Sequence, residues 1–181
     1  MQQLLTIARL DPDASKKPMT TINLAELVKS VRDDMAPIAA QKNIEITEDA
    51  RPAMLDGMED AIRLMVTNLT DNAIRYTPEG GRIEITSSTE HGLSVLRVCD
   101  NGPGIAPEER SRVFDRFYRA LGTKTSGTGL GLAIVKRIVD IHHGTVEIED
   151  GLDGRGTIFK LSFPPLGASS HHTAAVPSSR I

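Results

Sequence analysis

Two asparagines four residues apart, Asn68 and Asn72, open the chemistry this chain could carry. On a helix that spacing stacks both side chains on one side. Ile62, Met65, Val66, Leu69, Ala73 and Tyr76 recur around them at helical spacing, so the amides lie along the rim of an apolar stripe. Amides in that position are costly unless something satisfies them. A second candidate is Asp100, in Asp100-Asn101-Gly102-Pro103-Gly104-Ile105. It ends a strand on the side of Leu96 and Val98. An aspartate aimed at an apolar face needs a donor, and adenine's exocyclic amine would serve. Gly102 and Gly104 leave out the Cβ atoms that would keep a planar ring away.

Two glycine-rich pieces follow. Gly127-Thr128-Gly129-Leu130-Gly131-Leu132 runs into a helix start, where bare backbone N–H groups and the positive end of the helix suit a phosphate. It lacks the Gly-Lys-Ser/Thr ending of a Walker loop. No strand leads directly into it, so it is not a dinucleotide fingerprint either. Gly154-Arg155-Gly156-Thr157 sets Thr157 on the same face as Phe159, Leu161 and Phe163, its hydroxyl turned inward toward Asp100 or back to a carbonyl. Taken singly, each piece has an ordinary structural reading: a capping amide, an Asp-Gly turn, a flexible loop.

The elements that must position these residues read as follows. Residues 58–77 form the helix of the asparagines, stopped by Pro78-Glu79-Gly80-Gly81. Residues 83–86 and 93–100 are strands, antiparallel through the polar connection 87–92. A short helix at 107–113, a long mobile loop at 116–131 and a strong helix at 130–141 come next, and strands at 146–148 and 158–163 close one sheet. Upstream, 19–22 is a short strand. Asn23 and Glu26 resemble a capping box, with Asn for the usual Ser or Thr, opening a helix through Leu27, Val28, Val31, Met35 and Ile38. Residues 44–47 alternate as a strand and 53–55 are extended. His142 and His143 end a helix, where solvent exposure is expected.

The whole chain sets bounds. With 181 residues and 39% hydrophobic content it can bury one substantial core. A net charge of −3 gives no reason to expect nucleic acid or a membrane surface as partner. No long apolar span or secretory signal is present. Cys99 is the single cysteine, which excludes an internal disulfide framework.

In order, Asn-xxx-Asn, Asp-x-Gly-x-Gly, Gly-x-Gly-x-Gly and Gly-x-Gly-Thr are far more specific than any one of them. Together they resemble the ATP-binding superfamily shared by gyrase, Hsp90, bacterial histidine kinases and MutL. Val113-Phe114-Asp115-Arg116-Phe117-Tyr118-Arg119 resembles the F box of histidine kinases, and Gln3 to Asp11 is similar to the end of their second dimerisation helix. The resemblance implies an α+β fold, a two-layer α/β sandwich of the Bergerat (GHKL) type. Its mixed, mostly antiparallel sheet would carry helices on one face and a mobile ATP lid. Domain limits follow: 1–18 as dimerisation-helix end and linker, 19–163 as the catalytic ATP-binding domain, and 164–181 as a disordered tail.

By the same resemblance the ligands are ATP and Mg²⁺. Asn72 would place its oxygen on the metal with Asn68 assisting, and Arg75, where relatives often carry Lys, would reach the phosphates. Tyr76 would line the site, and Asp100 would bind the adenine amine with Gly102, Gly104, Ile105 and Thr157 around it. Arg119 and Lys124 would meet the phosphates from the lid, and Gly127, Thr128, Gly129, Leu130, Gly131 and Leu132 would close it. Hydrolysing members have Glu where this chain has Asn68, an amide that cannot serve as an ordinary base. The resemblance therefore favours a kinase over an ATPase clamp. An anti-sigma-type serine kinase and an ATP-binding module without transfer are the alternatives. The phosphoacceptor of such kinases is a His followed by an acidic residue, and none of the five histidines has that neighbour. The expectation is a monomeric, ATP-binding fragment that cannot phosphorylate itself. It would be the cytoplasmic portion of an inner-membrane sensor kinase. Its partners would be the dimerisation domain carrying the acceptor His and a response regulator.

Overall fold

The computed structural model describes residues 19–119, 128–151 and 154–167. Within them lie β1 (Thr20–Asn23), α1 (Leu24–Ala40), β2 (Glu45–Ala50), β3 (Met54–Gly57) and α2 (Glu59–Tyr76). These are followed by β4 (Arg82–Glu90), β5 (Leu93–Asp100), α3 (Gly131–Ile141), β6 (Thr145–Asp150) and β7 (Thr157–Phe163). The readings of 1–18, of the loop at 120–127 with Lys124 and Gly127, and of the tail at 168–181 lie outside the described residues.

Strand alternation decides the layers. Ile83 and Ile85 of β4, Leu96 and Val98 of β5, and Phe159, Leu161 and Phe163 of β7 all point to one face. There they join the buried stripes of α1 (Leu27, Val28, Val31), α2 (Ile62, Met65, Val66, Leu69) and α3 (Ile134, Val135, Ile138, Val139) in one core. On the other face a row of Thr86, Arg97, Lys160 and Glu147 runs across β4, β5, β7 and β6. Arg97 grips Glu90 at 2.6 and 2.7 Å, and Lys160 meets Glu147 at 3.2 Å. The sheet order is β2-β4-β5-β7-β6, with β2–β4 its one parallel pairing. This is the expected α+β sandwich with a mixed, mostly antiparallel sheet. It is not quite one sheet, because β1 and β3 pair with each other as a separate antiparallel ribbon.

Local chemistry fixes the helix ends. Asn23 Oδ1 accepts from the Ala25 N–H at 3.1 Å and caps α1. Glu26 takes the Asn23 side-chain amide at 3.0 Å, so the box closes through the side chain instead of the backbone. At the far end of α2 the Lys42 ammonium donates to the carbonyls of Ile74 and Thr77, both at 2.7 Å, where the helix dipole is negative.

Four expectations change. Ile38 is 44% exposed, and Ala39 takes its place in the core. β4 runs on to Glu90, so the polar connection shrinks to His91 and Gly92 (φ 50° and 82°), a two-residue hairpin turn. Residues 107–113 are a chain of turns, not a helix. There Arg110 ties the segment to β6 through the Ile148 carbonyl at 3.2 Å and Asp150, and to Ile105 at 3.1 Å. His142 is buried, 4% exposed, because Phe163 and Gly57 close over it.

Two truncations separate core from surface. Leu69→Ala is expected to lower stability by about 2–5 kcal/mol, and Ile38→Ala by less than about 0.5 kcal/mol, in urea denaturation.

Candidate functional site

β5 delivers Asp100 to the bottom of a cleft with only 5% of its surface exposed. Its Oδ1 accepts from the Gly102 N–H at 2.9 Å and the Thr157 N–H at 3.3 Å. Both bonds fall on one oxygen, so Oδ2 keeps its accepting capacity for something in the cleft. Burial pushes the carboxyl above the ordinary carboxylate range, and the two backbone donors pull it part of the way back. Thr157 therefore serves Asp100 through its backbone and not through the hydroxyl that the strand pattern suggested.

The glycines are where side chains would not fit. A Cβ on Gly102 would sit 2.9 Å from Asp100 Oδ1 and 3.1 Å from the Tyr76 carbonyl. Gly156, at φ +83°, lies against the backbone of Asp100, and a Cβ there would come within 1.9 Å of its carbonyl oxygen.

The other end of the cleft is built by α2 and α3. Asn68 is satisfied within its own helix, with Nδ2 donating to the Leu64 carbonyl at 2.9 Å. Asn72 is not, since its Nδ2 is buried with no hydrogen-bond partner among the described residues. Rotating the amide exchanges oxygen for nitrogen at that position, so either atom can be presented. Gly131 begins α3 close beside them: its Cβ would be 3.3 Å from Asn68 Oδ1 and 3.7 Å from Asn72 Nδ2. No side chain among the described residues caps α3 at Leu130, which leaves its positive end facing the asparagines. Arg75 turns to Asp71 at 2.8 Å, an i, i+4 pair along the rim.

Two adjoining cavities share Asn72, Tyr76, Val113, Tyr118, Arg119 and Leu132 as a common wall. The first, about 740 Å³ with its mouth, also takes in Asp100, Gly104, Ile105 and Thr157. The second, about 560 Å³, takes in Asn68, Arg75, Thr128, Gly129 and Gly131. Most of the residues singled out in the sequence thus surround one cleft. Gly102 backs Asp100 from a neighbouring groove, and Leu130 is 3% exposed in the core.

Sequence reasoning missed Ala73 as a wall residue, and also Glu109, Val113, Tyr118 and Phe159. The Tyr118 hydroxyl donates to Glu109 at 3.1 Å, and Phe114 stands edge-on to Phe159 at 6.4 Å. The aromatic run at 114–118 was the available signal. Its Phe117, at φ 64°, donates its N–H to the Gly129 carbonyl at 2.9 Å and ties this run to the glycine-rich residues before α3. The cleft thus pairs an apolar slot holding one buried acceptor with a polar end holding an unsatisfied amide and a helix amino terminus. A planar base carrying an amine, linked to phosphates, fits that division.

Comparison with known proteins gives the same direction. A family model described as "Histidine kinase-, DNA gyrase B-, and HSP90-like ATPase" matches residues 57–167. The sensor protein kinase PmrB of Pseudomonas aeruginosa is 42% identical over 165 residues, covering 91% of this chain and 35% of that protein. The sensor protein QseC of Escherichia coli is 36% identical over 156 residues, covering 85% and 34%. The chain therefore spans about a third of the length of these curated relatives. Among solved structures, full-length ShkA in complex with AMPPNP matches with a TM-score of 0.78 and 31% identity over 90% of this chain and 34% of that one. The mycobacterial sensor histidine kinase MprB matches at 0.72 and 29%, over 81% and 97%.

Asp100→Asn is expected to melt at the wild-type temperature or above it at pH 7. A raised folded-state pKa means that the cost of the charge is absent below the ordinary value near 3.8 and grows as pH rises through the folded one. The difference between the two proteins should shrink as melts are repeated toward pH 4.

Proposed function

The chain belongs to the family of histidine kinase-, DNA gyrase B- and HSP90-like ATPases, and from that premise we propose that it is the catalytic, ATP-binding domain of a sensor histidine kinase. It holds Mg-ATP in the cleft and presents the γ-phosphoryl group to a histidine on a dimerisation domain. From there the group passes to an aspartate of a response regulator. The observation that carries this reading is Asp100, a nearly dry carboxylate with one oxygen tied to backbone and the other open to an apolar slot. Adenine offers its six-position amine to such an acceptor, whereas guanine seated in the same pose puts a carbonyl there, which the carboxylate would repel.

Roles for the other residues follow from position. Tyr76, Gly104, Ile105 and Leu132 enclose the base. Arg75, Arg119 and the backbone of Thr128 to Gly131 face the phosphates, with Lys124 and Gly127 expected to join them. The residues present fit a magnesium ion, for the Asn72 amide, its Nδ2 without a partner among the described residues, can turn an oxygen to it beside the phosphate end. Hard oxygen ligands of this kind, completed by phosphate and water, are what Mg²⁺ takes. When bound it would neutralise charge on the phosphates. Asn68, with its amide spent on Leu64, offers no base to activate water, which suits transfer to a protein nucleophile over hydrolysis.

Among the described residues no helix is long and apolar enough to cross a membrane. We read the chain as a cytoplasmic catalytic module, monomeric by itself, of a longer inner-membrane sensor kinase. The test is transfer from γ-labelled ATP onto a separately produced dimerisation domain. Label on its histidine supports the reading, and tight ATP binding without transfer to any such domain contradicts it. Asp100→Asn should weaken ATP binding by roughly ten- to a hundredfold in calorimetry, the range for a lost hydrogen bond to a charged group. Asn72→Ala should remove most of the gain in affinity that Mg²⁺ confers.

A further inference from the structure

His142 is used by nothing in the cleft, yet it is 4% exposed and held on both sides of its ring. Its Nδ1 lies 2.7 Å from the Ile138 carbonyl one turn back in α3, and its Nε2 accepts the Met58 N–H at 3.1 Å. The Met58 donor fixes the tautomer: Nε2 must offer its lone pair, so the proton sits on Nδ1 and the ring is neutral. Met58 is the N-cap residue of α2, which has no side-chain cap of its own. The imidazole at the end of α3 therefore ties off the start of the helix that carries Asn68 and Asn72. Phe163 stands edge-on at 6.5 Å, and a Cβ on Gly57 would come within 2.9 Å of the ring, so that position admits the imidazole only as glycine.

Its place in the fold gives this bond reach. α2 and α3 run antiparallel, with His142 bonded to the start of α2 and Gly131 beside Asn68 and Asn72 about 16 Å away at the other end of α3. Between these ends Ile134, Val135, Ile138 and Val139 join the buried stripe of α2 in one apolar core. Apolar packing resists separation but has no direction, whereas a hydrogen bond of fixed geometry sets register.

We infer that His142 is a positioning residue that sets the register of α2 against α3, and so the placement of Asn72 and Gly131 at the phosphate end, and that its protonation releases this register. A proton on Nε2 would face the Met58 N–H donor to donor, beside the positive end of α2. Charged groups on the elements packed around the ring are Asp56 of β3, Glu59 and Asp60 of α2, and Asp140 and His143 at the end of α3; β7 presents Phe163. Asp56 is engaged by the Gly167 N–H at 3.0 Å and Asp140 by Lys136 at 2.6 Å. Burial holds the ring's pKa below the ordinary histidine value, and His143 adds to the effect against the Ile138 bond.

The experiment uses side chains that mimic one ring nitrogen each. Gln can set its oxygen where Nε2 accepts from Met58, and Asn can set its amide where Nδ1 donates to Ile138. Calorimetry with a non-hydrolysable ATP analogue should find His142→Gln within about twofold of wild type and His142→Asn weakened at least about fivefold, the size of one hydrogen bond. Lowering pH from 7.5 to 5.5 should weaken wild type more than His142→Gln, whose pH response reports the ligand's own titration. In the wild-type chain, NMR should show the Asn72 side-chain amide and Gly131 shifting with the midpoint of His142. The inference rests on the nucleotide reading of the cleft. A wild-type chain that binds no analogue overturns that reading and this inference with it. Wild-type affinity in folded His142→Asn, a constant wild-type to Gln ratio across pH, or Asn72 and Gly131 signals that ignore the His142 titration overturns the inference alone.

Discussion

Burial of one carboxylate governs the architecture around the cleft. Asp100 loses most of its water at the end of β5, a cost that only donors can offset. Two backbone N–H groups, from Gly102 and Thr157, supply them, and both must approach closely. That approach dictates glycine at 102 and 156, because a Cβ at either would strike Asp100 or its neighbours. It also fixes the loop after β5 against the loop before β7: a Cβ on Gly104 would already lie 3.0 Å from the Gly156 carbonyl. What remains is Oδ2, a strong acceptor in an apolar slot, and recognition of a planar amine-bearing base is the use we assign to it.

The polar end obeys a different constraint. Anion binding at a helix start needs N–H groups left uncapped and space for the ligand to come near. α3 provides both, with Leu130 lacking a side-chain cap and Gly131 pressed against the asparagines of α2. Asn72, whose Nδ2 is buried with no hydrogen-bond partner among the described residues, marks where the helix pair leaves hydrogen-bonding capacity unspent. A cleft whose two ends rest on different elements depends on how those elements are held to one another. For α2 and α3 the hydrogen bond that does this lies at His142, far from the cleft.

Much of this was legible in the chain because it is local. Period-two alternation in 93–100 put Asp100 on the side of Leu96 and Val98, and helical spacing put Asn68 beside Asn72. What escaped is set by distant partners. His142 meets Met58 across 84 positions, and no pattern around a helix end announces that contact. Arg110 draws residues 107–113 into turns by reaching β6, overriding a helical appearance. Asn68 looked like the twin of Asn72, yet its amide turns back to Leu64, the local competition to which asparagine is prone. The Arg75–Asp71 pair could have been foreseen from its i, i+4 spacing. The place of Glu109 in the wall could not, since it depends on Tyr118 folding back from beyond the turns.

The most direct measurement is an NMR titration of this chain with a non-hydrolysable ATP analogue and, in parallel, its guanine counterpart, each with Mg²⁺. If the buried Asp100 reads the amine at the six-position, where guanine has a carbonyl, the adenine compound should shift Asp100, Gly102, Gly104, Thr157 and the Asn72 side chain together. The guanine compound should leave the first four nearly still. Equal responses to both bases, or no response at Asp100 from a folded chain, would contradict the central claim.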